Sequence, residues 1–319
     1  MIDVLAAIAH YLFGWVVFTV SLSWLCAAAY PILQPYIAAS TARQGAFHTL
    51  LIALFAPLLA CITLIILSFP TLAQVLVAPH CHDELCAPHS FDMVVETIIS
   101  TAALAMAAAA VIIVALMMGS QLMVNRRLAA TLEKLSQLRT PGYLRFDSPK
   151  RIAWCFGLFR PKVFISSGLL DATNEQQREV ILARELARAS RYDNLRKWLL
   201  DWATLAWPEP SRRIIRGDFA LFCDAICDIK AFATLRHTME MVNFIDTLAH
   251  FYDPQTPPSA DRYQQRLKQL EREWSTHQQC EHRIIKPQSV LLGAIATFTG
   301  IALVAVSVYV GHPLLEVLG

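Results

Sequence analysis

Four stretches of the chain run for more than twenty residues with almost no charged side chain: Val4 to Ala29, Ala46 to Phe69, Val94 to Gly119 and Ser289 to Val310. A helix crossing a hydrocarbon core of about 30 Å needs roughly 20 such residues, so each stretch is predicted to span a membrane. Pro57 inside the second is compatible with that, because a neighbouring helix can satisfy the carbonyl that a proline frees. Met1-Ile2-Asp3 places no basic run ahead of the first stretch, so a retained span is expected there and not a cleaved signal peptide.

Between the third and fourth stretches the pattern changes. Asn125 to Leu138 has helical spacing and meets a turn signal at Thr140-Pro141-Gly142. Two short β-rich runs around Arg160-Pro161-Lys162, from Arg151 to Ser166, predict a small antiparallel or edge pair. From Asn174 the spacing is helical again. Trp207-Pro208-Glu209-Pro210 ends the next amphipathic helix, and a further helix runs through Cys227 and Asp228. Asp253 to Ser259 is a loop or hinge, and Arg262 to Trp274 alternates charges as a solvated helix face does. The expected fold is a mainly α polytopic membrane protein. Three membrane helices lie in 1–124, a helical domain with a minor β element in 125–287, and a fourth membrane helix with a short tail in 288–319.

Charge orients this arrangement. Of 27 Lys and Arg, 26 lie between Arg126 and Lys286, against 19 carboxylates in the same segment. Arg126 and Arg127 flank one predicted span and Arg283 and Lys286 the other, so the positive-inside rule puts 125–287 in the cytoplasm. The first loop, Pro31 to Gly45, carries Arg43 and should face the same side. The second, Pro70 to Met93, carries no cation, which puts it and both termini outside. The cationic surplus suits anionic lipid headgroups, and no nucleic-acid partner is expected.

Within the polar segment, Arg184-Glu185-Leu186-Ala187-Arg188 has the frame of the zinc-protease helix motif H-E-x-x-H with both histidines replaced. In that motif two histidines one turn apart hold the metal and the glutamate activates water. A guanidinium has no lone pair to donate and stays charged, so Arg184 and Arg188 repel a dication.

Neighbouring pieces resemble a known family, the membrane-embedded BlaR/MecR-type zinc metallopeptidases, which relay antibiotic signals in bacteria by cutting a repressor. Gly157 to Leu170 is similar to that family's strand before the metal helix. Glu179-Val180-Ile181-Leu182-Ala183-Arg184-Glu185-Leu186-Ala187-Arg188 resembles its V-L-A-H-E-L-A-H, Tyr192-Asp193-Asn194-Leu195 its R-x-D-N-L, and Asp224-Ala225-Ile226-Cys227-Asp228 its E-x-x-C-D. The resemblance implies a zincin-like cytoplasmic domain with Arg184, Arg188 and Asp224 at the three zinc-ligand positions and Glu185 at the water-activating one. It also implies the bacterial inner membrane, and a cytoplasmic protein partner such as a transcriptional repressor. Only Asp224 retains metal-binding chemistry, so zinc is implied by resemblance alone, no cofactor is expected in this domain, and a catalytically silent pseudopeptidase follows. Two placements of the arginines stand side by side. They form a salt-bridged core with Glu185, Asp224 and Asp228 in place of the metal, or they point to solvent. The rival function is an active peptidase using Glu185, Asp224 and His237 or His250.

A third function class rests on the second loop. His80, Cys81, His82, Cys86 and His89 fall within ten residues, which allows a Zn or Cu site and an external metal or redox sensor. An oxidising compartment would equally close Cys81 and Cys86 into a disulfide. Cys26 and Cys61 read as small apolar residues of membrane helices, and Cys155, Cys223, Cys227 and Cys280 as reduced thiols. His10 and His48 read as interfacial.

Overall fold

A computed structural model describes residues 2–69, 72, 81, 82, 85, 86, 98–136, 138–140, 142–252, 267, 268, 270–275, 302, 304–306, 308 and 309. Three long helices, α1 (Ile2–Ala38), α2 (Ala42–Ser68) and α3 (Ile98–Leu135), are each long and apolar enough to cross a membrane. They mark an integral membrane protein. The fourth predicted span lies mostly outside the described residues. Those that are described are helical, and Val304 and Val308 pack among Phe18, Leu64 and Leu67 of α1 and α2.

The first and third helices outrun their apolar patterns. The predicted loop from Pro31 to Gly45 shrinks to residues 39–41, because α1 continues through Pro31 and Pro35 and α2 begins at Ala42. The start of α2 is fixed by a capping box in which Thr41 Oγ1 accepts from the Gln44 amide and Gln44 Oε1 accepts from the Thr41 amide. With 37 residues, α1 is about 55 Å long, so it projects well beyond a hydrocarbon core. Likewise Asn125 to Leu135 is no separate helix but the end of α3. Residues 94–97 of the predicted third span lie outside the described ones.

The projecting ends carry the polar domain. Its sheet has the order β3 (Leu138–Thr140), β4 (Tyr143–Phe146), β6 (Lys162–Ser166), β5 (Ala153–Phe156), with β1 (Cys81–His82) and β2 (Leu85–Cys86) forming a separate antiparallel pair. The predicted antiparallel pair is β5 and β6, in register Cys155 with Val163. The rest of the sheet is unforeseen: β4 runs parallel to β6, and the Thr140-Pro141-Gly142 signal joins β3 to β4 instead of ending a helix. Gly142, at φ +96°, takes a conformation that favours glycine.

Helices α4 (Ser167–Ala172), α5 (Glu175–Ser190), α6 (Asp193–Ala203), α7 (Glu209–Leu235) and α8 (Met241–Tyr252) follow. Pro208 is the N-cap of α7, so the Trp207 to Pro210 signal opens that helix; α6 has already ended at Ala203. One face of the sheet meets α5 through Val163, Ile165, Leu169 and Ile181. A second core joins α5, α7 and α8 through Val180, Phe232, Phe244 and Leu248. A third joins Ala27, Tyr30 and Ile37 of α1 and Ala42, Ala46 and Ala53 of α2 to Leu200 of α6 and Ile215, Phe219 and Cys223 of α7. There Asp218 on α7 accepts hydrogen bonds from Tyr30 Oη at 2.8 Å and Gln34 Nε2 at 2.9 Å on α1.

Where it is described, the charged segment before the fourth stretch has the solvated face expected of it, with Lys268, Glu271 and Arg272 exposed, and its other side is docked. Leu270 is buried, Trp274 meets Phe232 edge-on, Arg272 donates to the Ala39 carbonyl and Glu273 accepts from the Ala42 amide at 2.7 Å. These last contacts seal the α1–α2 turn against the polar domain, so both lie on one side of any membrane the helices cross. The Asp253 to Ser259 loop lies outside the described residues.

Candidate functional site

Helix α5 starts at a capping box between Asn174 and Gln177 and turns Val180 and Ile181 into the core. Arg184 and Glu185 lie four residues after that pair, and Arg188 four after Arg184. The three charges therefore fall on the buried face. This is the signal that separates the two placements open to the sequence: Arg184 is 3% exposed and Glu185 0%. The solvent-facing alternative is overturned.

Opposite stands α7, which presents Asp224 and Asp228 one turn apart. Arg184 Nε donates to Asp228 Oδ1 at 2.6 Å, and its Nη2 lies 3.5 Å from Asp224 Oδ1. Arg188 Nη1 reaches both Glu185 oxygens, at 3.1 and 3.2 Å, while its Nη2 donates to Asp224 Oδ1 at 2.9 Å. Asp224 thus bridges both guanidinium groups. Two fixed positive charges face three carboxylates. Asp224 is the carboxylate open to water, its side chain 40% exposed against 7% for that of Asp228. Burial opposes the Arg188 charge, but Glu185, with Asp224 and Cys227 adding to it, more than offsets that effect and the neighbouring Arg184, and raises its pKa above the arginine value.

Glu185 is not idle. Its Oε2 accepts from the Cys155 amide at 2.9 Å, and Asn194 Nδ2 donates to the Cys155 carbonyl at 2.9 Å. Since β5 is the last strand of its sheet, these two side chains occupy the outward peptide groups that another strand would use. Asn194 is delivered by a sharp reversal between α5 and α6, at which Tyr192 is left-handed with φ 55°. Next to it Asp193, fully buried, pairs with Arg191 Nε at 3.1 Å and accepts from the Cys227 thiol at 3.3 Å. Arg191 and the structural use of Asp193 and Asn194 are absent from the sequence-based site; only their place beside α5 was visible.

The thiols around the cluster are held protonated. Burial first, then the Glu185 carboxylate, pushes the Cys155 thiol up to about 12. Burial and Asp193 push Cys223 up to about 11 and raise Cys227 as well. Thiols held this high are poor nucleophiles near neutral pH. Among the described residues no group of three or more His, Cys, Asp and Glu is placed to hold a metal ion. His237 lies just past the end of α7, roughly 20 Å along the helix direction from Asp224, and makes its contact with Arg236. The site geometry brings no His237 to Asp224. The side chain of His250, in α8, lies outside the described residues.

In the second loop, the backbone register puts Cys81 opposite Cys86 and His82 opposite Leu85. His80 and His89 lie outside the described residues. No family model, no curated protein and no solved structure matches the chain. The chemistry of the site rests on its own geometry.

Proposed function

We propose that this protein is an integral-membrane pseudopeptidase. In this reading it is a relative of the BlaR/MecR-type metallopeptidases whose zinc has been replaced by the Arg184 and Arg188 guanidinium groups. It acts in signalling or assembly through a cytoplasmic protein partner, a transcriptional repressor being the kind the resemblance implies. The polar domain faces the cytoplasm of a bacterial inner membrane, with both termini outside. The observation that carries this reading is the closed ion network. The two arginines at the histidine positions of an H-E-x-x-H frame turn inward and bind Glu185, Asp224 and Asp228. A dication among carboxylates and a guanidinium pair among the same carboxylates supply equal positive charge, so the scaffold keeps its electrostatic balance while losing the Lewis acid. Glu185, which would activate water in that frame, is committed instead to a strand amide and to Arg188.

Elemental analysis of the purified full-length protein tests it. Zinc well below one per chain, unaffected by Asp224→Ala, is expected. Stoichiometric zinc that Asp224→Ala removes would establish a working metal site and overturn the reading. Reporter fusions test the topology: a cytoplasmic signal from the loop around His82 refutes it.

A further inference from the structure

Helix α6 carries a run of apolar side chains on the side opposite its fully buried one. Leu195, Trp198, Leu199 and Trp202 recur at helical spacing and are half-buried, and Leu205, one turn on, is exposed. The opposite side of the same helix is sealed: Asp193, Leu200 and Thr204 are buried, Leu200 in the core shared with α1, α2 and α7. Amphipathic helices of this kind need a second apolar environment for the outer face.

Three observations say which one. First, Trp198 Nε1 donates to Gln121 Oε1 of α3 at 3.1 Å. Gln121 lies near the end of the apolar stretch of α3: Ile112, Ile113, Leu116 and Met117 are open on the preceding turns, Met123 and Val124 are open just after it, and the exposed cations Arg126 and Arg127 come next. Membrane helices change from lipid to water over such a boundary, so the hydrogen bond sets α6 at headgroup height. Second, the contact of Asp218 with Tyr30 and Gln34 and the packing of Leu200 on α1 and α2 hold the domain against the same ends of the membrane helices. Third, the two indoles lie together at the face, ring centroids 6.3 Å apart, and tryptophan is the side chain favoured where an apolar body meets a wet rim.

We propose that α6 and the turn after it form an interfacial anchor whose Leu195, Trp198, Leu199, Trp202 and Leu205 face seats in the headgroup and upper acyl region of the bilayer. The same helix begins with Asp193 and Asn194, which hold Cys227 and β5. Lipid contact at one end therefore fixes the arginine and carboxylate cluster close to the membrane surface, and anything that engages the cluster must do so there.

The test uses full-length protein in liposomes of phosphatidylcholine and phosphatidylglycerol. The emission of Trp198 and Trp202 is taken as the difference between wild type and the Trp198→Phe/Trp202→Phe variant. Lipid brominated near the top of its acyl chains is expected to remove most of that difference emission, and aqueous iodide to leave it intact. Quenching by iodide would show a solvated face, and quenching by neither would show a face covered by protein; either result overturns the proposal. Should the double variant fail to fold, Leu205→Trp adds an indole at an exposed position. Its extra emission must be quenched by the brominated lipid and not by iodide, and the reverse, or the absence of both, sinks the idea.

Discussion

Replacing Arg184 by methionine keeps most of the side-chain volume and removes the charge, which isolates the electrostatic role of the cluster. Asp228 then loses a donor at 2.6 Å at a site only 5% exposed. Water cannot replace that donor without opening the α5–α7 contact. Breaking a buried ion pair from one side costs about 3–5 kcal/mol, because the remaining carboxylate stays desolvated. For a unit of roughly 150–250 residues, each kcal/mol lowers the melting temperature by about 2–4 °C, so a drop on the order of 10 °C is expected. Adding Asp228→Leu removes the stranded charge. The double variant should return to within about 1–2 kcal/mol of wild type, a recovery of about 1–4 kcal/mol over the single variant. Thermal unfolding of the four proteins in one detergent, followed by circular dichroism, gives the cycle. A single variant that melts within about 3 °C of wild type, under roughly 1 kcal/mol by that conversion, would refute the reasoning. So would a double variant no better than the single, since either result means that Arg184 and Asp228 are not a mutually dependent buried pair.

Three further outcomes are expected. Cys223 and Cys227 have folded pKa values raised above the unfolded value of about 8.5. Their stabilisation is therefore complete below that pH and is lost as pH rises toward the folded values, by up to about 3 kcal/mol per pH unit for the two together. Chemical-denaturation midpoints from pH 8 upward should fall less steeply in Cys223→Ala/Cys227→Ala, and parallel curves would exclude the linkage. At Gly45 a Cβ would lie 2.6 Å from the Phe222 ring, so Gly45→Val should destabilise the α2–α7 contact by about 1–3 kcal/mol. Faster proteolysis of the polar domain in detergent reports it, and unchanged cleavage and melting would refute it. Finally, Cys81 and Cys86 are directly opposed in an antiparallel pair, where Cα separations of about 4.5–5.5 Å match those of disulfides. Both should resist alkylation until reductant is added; thiols labelled without reductant, together with one bound Zn or Cu, would instead support the external sensor.

The apolar runs alone were enough to place three membrane helices, because burial in hydrocarbon depends on segment length and composition and not on any partner. Local chemistry sufficed for Asn174 as the start of α5 and for the β5–β6 hairpin, since a cap and a hairpin are closed by residues a few positions apart. The Thr41-x-x-Gln44 box was equally local, yet it fell inside Pro31 to Gly45, the stretch between two apolar runs that read as a loop. Beside Pro31 and Pro35, α1 is in contact with α7: Tyr30 and Gln34 donate to Asp218 more than 180 residues away. The arginines divide in the same manner. Their inward direction follows from the four-residue step after Val180 and Ile181, and is legible in the helix period. Whether inward means a stranded charge or a closed network depends on Asp224 and Asp228, brought up by α7 from 36 and 44 residues away. Those carboxylates, the Cys155 amide that engages Glu185 and the parallel β4–β6 pairing are decided by tertiary structure, because a buried charge is tolerated only where the whole fold supplies its partners.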